Sequence, residues 1–156
     1  MTFAICVLMT WFVIIVFSLI PKKLTVLDMI FVYFVNTIFE LSVFTILHIN
    51  LKWLEVSHDV EKSLADLVLR IIMIPLVFVI TANLLMYSRN FLKWTIVTVI
   101  IFSFLLIEAL IHKLGILTTH HWNAVYTLVL FSSYTIFSSL MAWFISNVDK
   151  RGVGEN

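Results

Sequence analysis

The sequence predicts an all-α fold, an integral membrane bundle of five transmembrane helices with the N-terminus outside and the C-terminus cytoplasmic. Three observations carry that prediction. Five long apolar stretches, separated by short polar breaks, make up nearly all of the 156 residues. Hydrophobic residues reach 62% against 12% charged, where soluble domains carry about 25% charged residues, and mean hydropathy is +1.11. The breaks alternate between basic and acidic or neutral along the chain.

A hydrocarbon layer of about 30 Å takes roughly 20 apolar residues in a helix, which places spans at about 3–20, 24–49, 67–88, 91–111 and 122–147 within one domain, 1–156. The first stretch, Phe3 to Ile20, lacks a basic n-region and a small-x-small cleavage site, so it is expected to stay attached. Pro21 stops it, because proline cannot continue a helix. The second and fourth stretches qualify only with acids inside them: Asp28 and Glu40 in one, Glu108 in the other, with Lys93 close to its start. Ile71 to Ser88 is free of charge, and Pro75 near the middle of the third span predicts a bend. Trp122 to Asn147 is the fifth uncharged run. Four of the five tryptophans, Trp11, Trp53, Trp94, Trp122 and Trp143, fall near predicted interfaces, as in an aromatic belt.

Orientation follows from the cations, which short cytoplasmic loops retain. The inner set is Lys22, Lys23, Arg89, Lys93, Lys150 and Arg151; the outer set is Lys52, Lys62, Arg70 and Lys113. The outer second loop, Lys52 to Asp66, also holds Glu55, Asp59, Glu61 and Asp66. It is too short to build a core, so function must reside in the bundle or its loops.

Depth converts that orientation into a candidate site. At about 1.5 Å per residue, Glu40 lies about 5 Å beyond the midplane, His48 near the outer surface, and Arg70 and Glu108 about 10 Å to the outer side. A lone ion in hydrocarbon costs at least about 2.5 kcal/mol, so Arg70 is expected to pair with Glu108 or Glu40. His112 shares the helical face of Glu108. Tyr33, Asn36, Thr37 and Glu40 form a polar stripe expected to face other helices. In the fifth span Ser132, Ser133, Thr135, Ser138 and Ser139, with Tyr134, read as helix-packing residues. The polar cluster is therefore Glu40, Arg70, Glu108, Asn36, Tyr33, His48 and His112, serving either as a structural ion-pair network or as a functional polar site.

Chemistry-bearing motifs are missing from the sequence. It has no phosphate-binding glycine loop, no Gly-x-Ser-x-Gly elbow and no His-Glu-x-x-His. Lone Cys6 excludes an intramolecular disulfide, and the histidines His48, His58, His112, His120 and His121 do not match metal-ligand spacing. No catalytic residue, metal or cofactor is expected, and the charge of +1 gives no sign of nucleic acid.

The basic Pro21-Lys22-Lys23 end of the first span, the acidic second outer loop, Pro75, Glu108, and the His121-Trp122 entry leading toward Tyr126 together resemble a family of uncharacterised small five-span membrane proteins of spore-forming Firmicutes. The resemblance spans nearly the full length and implies a multi-pass bacterial plasma-membrane protein with no established activity. The resulting expectation is a non-catalytic accessory or structural membrane component, partnered by the lipid bilayer and by itself or another membrane protein. The alternative is transport or sensing of a proton, cation or small polar solute through an outward-facing pocket at Glu40, Arg70 and Glu108.

Overall fold

The computed structural model describes residues 1–86, 90–119 and 123–152. They form five helical rods: α1 (Thr2–Leu19), α2 (Val26–Asn50), α3 (Val60–Leu85), α4 (Asn90–Lys113) and α5 (Ala124–Gly152). Four of these hold stretches long and apolar enough to cross a membrane: Thr2–Leu19, Val26–Asn50, Val60–Leu85 and Val125–Val148. The helical fold class and the membrane character are thus both present. A short two-stranded antiparallel sheet adds to them, β1 (Leu54–Val56) against β2 (Leu117–Thr119), with Glu55 opposite Thr118.

The third helix differs from expectation at its start. It begins at Val60 and not near 67, so the polar stretch expected as a loop supplies β1 and the first turns of α3. Charges ended the hydropathic window there, yet Ala65, Asp66, Leu69 and Met73 recur at three- and four-residue spacing and are all buried. In the apolar window of α3, 50% of residues are buried, against 11%, 17% and 22% in α1, α2 and α5, because α3 is the central rod and touches each of the other four. The outer faces carry Leu8, Phe12, Phe34, Ile38, Phe102 and Ile136, all exposed as lipid-facing residues are.

Two helices contain a π-helical turn, Ile46–Asn50 in α2 and Leu69–Met73 in α3. The second explains how Pro75 fits. Proline lacks an amide donor and its ring crowds the carbonyl four residues back; the wider turn before it gives that ring room. The carbonyl deprived of the Pro75 amide is that of Ile71, and the Tyr33 hydroxyl donates to it at 2.8 Å. Tyr33→Phe should therefore cost about 0.5–1.5 kcal/mol. In a Pro75→Ala background, where Ile71 can regain a backbone donor, the cost should shrink; equal losses in both backgrounds, by unfolding in detergent, would refute the link.

Asp28, expected as an acid within the bilayer, instead closes a capping box. Its carboxylate accepts the Thr25 amide at 3.1 Å while the Thr25 hydroxyl accepts the Asp28 amide at 3.2 Å, so it satisfies the start of α2. The α1–α2 turn is held from α3. Asn83 Oδ1 accepts the amides of Lys23 (2.7 Å) and Leu24 (3.1 Å), and Nδ2 donates to the Pro21 carbonyl (2.9 Å). At the other end Glu61 accepts the Phe3 amide at 3.1 Å, capping α1. Gly115 supplies the positive φ of 61° that turns the chain from α4 into β2.

Candidate functional site

Of the expected polar residues, Arg70 pairs with Glu40, one of the two partners expected for it, and Asp66 joins them. Arg70 lies in the π-helical turn of α3, where its guanidinium donates through Nη1 to Glu40 Oε1 at 2.7 Å and through Nε to Asp66 Oδ2 at 2.8 Å. Its plane also covers the Phe44 ring at 3.4 Å, a cation–π contact. The pair with Glu40 was legible in the sequence; Asp66 was not, since it was counted as a loop acid, yet it is 6% exposed and one helical turn before Arg70.

Glu108 does not pair with Arg70. It accepts from the Thr127 hydroxyl at 2.7 Å and lies 3.9 Å from His112 Nε2, the same-face neighbour expected from the i,i+4 spacing. Arg70 bonds to Glu40 across the α2–α3 contact and to Asp66 one turn back on its own helix. All the same, Glu40, Arg70 and Glu108 line one cavity of about 90 Å³. Phe44, Phe104 and Tyr134 add aromatic walls, and Leu54 of β1 with Leu117 of β2 roof it. The two strands thus tie the α2–α3 connection to the α4–α5 connection over the charged site. His48 supports that roof: its Nδ1 lies 2.7 Å from the Leu54 carbonyl, and its ring stacks on Phe44 at 5.3 Å. It belongs to the roof and not to the charge cluster.

The polar stripe of α2 faces inward as expected. Asn36 Nδ2 donates to Ser138 Oγ at 2.9 Å, and Ser138 donates to the Phe78 carbonyl at 3.1 Å, which links α2, α5 and α3. Thr37 bonds only to the Tyr33 carbonyl in its own helix. In the serine-rich patch of α5, Ser138 and Thr135 are buried as packing residues are; Ser138 bridges helices, whereas Ser133, Thr135 and Ser139 bond to carbonyls four residues back. Hydroxyls satisfied within their own turn add nothing to association beyond small size.

Two buried acceptors stand out. Among the described residues, Glu40 Oε2 and Asn36 Oδ1 have no hydrogen-bond partner, though Glu40 is 3% exposed and Asn36 1%. They sit one turn apart on α2. Buried polar groups are satisfied in the great majority of cases, so two neighbouring orphans mark a place that receives a donor. No group of three His, Cys, Asp or Glu side chains that could hold a metal gathers among the described residues. His120, His121 and Trp122 lie outside the described residues.

Asn83, with its three bonds to the α1–α2 turn, is the largest contributor that sequence reasoning missed. Its signal was available: a lone amide in the uncharged run Ile71 to Ser88 is costly in lipid unless it has partners. Comparison of the chain with known protein families, with curated proteins and with solved structures finds no match.

Proposed function

We propose that this is a multi-pass membrane protein that binds positive charge, as a proton or a small protonated amine, in the roofed cavity at Glu40, Arg70 and Glu108. The observation that carries the reading is the unpartnered Glu40 Oε2 in a place short of positive charge. The Arg70 guanidinium faces two carboxylates, those of Glu40 and Asp66, which leaves one negative charge when both are ionised. An ammonium supplies up to three donors and no acceptor, which suits a site rich in acceptors. The aromatic walls favour the same ligand, since ring faces attract cations.

The cavity faces outward in the orientation we favour. Arg70 is neutralised inside the bundle, so it leaves the loop tally, and Lys22, Lys23, Arg89, Lys93, Lys150 and Arg151 then stand against Lys52, Lys62 and Lys113. The 24 residues of α4 rise about 36 Å, enough for it to be the fifth span. This arrangement suits a plasma membrane and the small five-span family that the sequence resembles.

Calorimetric titration of methylammonium into the protein in lipid nanodiscs tests the site. Glu40→Gln and Glu108→Gln should each weaken binding by about tenfold or more, the factor carried by 1.4 kcal/mol. Folding of both variants is checked by circular dichroism. Wild-type protein that binds neither methylammonium nor sodium, potassium or protons, or folded variants that bind as well as wild type, would end the proposal.

A second reading, a non-catalytic accessory or structural component, draws on Ser133 and Ser139. Their hydroxyls are satisfied within α5 and leave a small-residue surface on which a partner helix can pack. Pull-down in mild detergent with mass measurement tests it, and a strictly monomeric, partner-free protein is the contrary result.

A further inference from the structure

We propose that the cavity's ligand is a membrane-partitioned amphiphile, a long-chain primary ammonium, which enters sideways from the bilayer between α2 and α5. The proposal rests on the cation-site reading above and adds the substrate class and the route.

A second concavity, of about 320 Å³, lies on the flank of the bundle. Phe39 and Val43 of α2 form one wall, Val129 and Ser133 of α5 the other. Its lining is almost wholly apolar, and Val129 and Ser133 are exposed on the side where lipid lies. Leu47, Leu130 and Tyr134 line this groove and the charged cavity alike, so the two spaces adjoin. From Phe39 to Leu47 the groove runs about 12 Å along α2. At its end nearest the two-stranded sheet Trp53 and Tyr126 lie with ring centroids 5.5 Å apart, the amphipathic pair expected at a membrane–water boundary.

An apolar groove that leads to a site lacking positive charge is complementary to an apolar chain with a cationic head. The head size is bounded too. A cavity of about 90 Å³ exceeds the roughly 10–15 Å³ needed for a water yet is smaller than the 150 Å³ that takes a benzene, which suits an ammonium group. An anionic head is disfavoured because two carboxylates, Glu40 and Glu108, line the cavity beside a guanidinium already bonded to Glu40 and Asp66, and Glu40 Oε2 is an acceptor without a donor. Rotation of the Leu47, Leu130 and Tyr134 side chains, with no helix displaced, joins the groove to the cavity.

The test uses the full chain in phosphatidylcholine nanodiscs, titrated with methylammonium and with straight-chain alkylammoniums from butyl to decyl, after subtraction of empty-disc heats. Affinity referred to free aqueous amine should rise by about fourfold per methylene until the groove is filled. Val129→Trp and Ser133→Phe each fill the groove from its exposed face. They should weaken decylammonium by about tenfold or more and leave methylammonium unchanged, with folding checked by circular dichroism. If methylammonium binds and decylammonium binds no tighter, the lateral amphiphile is wrong and the cation site stands. If neither binds, and sodium, potassium and protons do not bind either, the cation site itself falls; if only the amines fail, the amphiphile is wrong. Decylammonium binding that survives both folded groove variants, or decanoate binding as tightly as decylammonium, overturns the route or the head group.

Discussion

Arg70→Ala should destabilise the protein by about 3–5 kcal/mol, the range for removing one partner of a buried ion pair. The substitution leaves Glu40 and Asp66, 3% and 6% exposed, without the guanidinium that both of them bind. Each carboxylate must then stay ionised in a poorly polarisable interior or take up a proton, and either course raises the energy of the folded state. The contact over Phe44 is lost as well, and a void opens in α3, the helix on which the other four pack. Unfolding in detergent, followed by circular dichroism, reads the loss. A triple variant, Arg70→Met with Glu40→Gln and Asp66→Asn, should recover most of it, because neutralising every member removes the uncompensated charge. If R70A costs less than about 1 kcal/mol, at the level of an exposed pair, the network does not hold α2 to α3.

Asn83→Ala is expected to cost about 1–3 kcal/mol by leaving backbone groups of the turn, the buried Leu24 amide among them, without their partner. The turn between α1 and α2 has no helix of its own to absorb the Pro21 carbonyl and the Lys23 and Leu24 amides, and Leu24 is 5% exposed. Asn83→Asp is a sharper test than alanine. It preserves shape and the oxygen that accepts both amides but replaces the donor to Pro21 with a second oxygen facing a carbonyl. It should therefore fail to restore stability. The damage is local to a basic turn, so trypsin should cut after Lys22 or Lys23 about tenfold faster in either variant, as local opening becomes easier. Unchanged cleavage in both would show that Asn83 does not tether the turn.

The two networks divide the bundle. Asn83 secures one end, where α1 turns into α2, while the Arg70 trio lies toward the other, beneath β1 and β2. Between them the Asn36–Ser138–Phe78 chain joins three helices at their centre. Polar groups inside an apolar bundle thus set which helices meet, and in one place they leave acceptors over. Glu40 Oε2 and Asn36 Oδ1 are the surplus, and the proposed ligand is the donor that Glu40, which lines the cavity, lacks.

Composition and the spacing of apolar runs were enough to determine the helical class, the membrane character, the inward stripe of α2 and the Glu40–Arg70 pair, since burial costs for charges act at any site in lipid. Local spacing also revealed Glu108 beside His112. Other features depended on neighbours distant in the chain. Asp66 looked like a loop acid because hydropathy averages ignore which face of a helix is covered; packing of α3 against α1 and α2 made its face interior. Glu108 accepts from Thr127 on α5, a partner that spacing along α4 does not show. The Tyr33 donor that compensates Pro75 and the strand pair over the cavity need partners 38 to 65 residues away. Periodicity along one segment carries no information about such partners; only the packed arrangement decides which donor reaches which carbonyl.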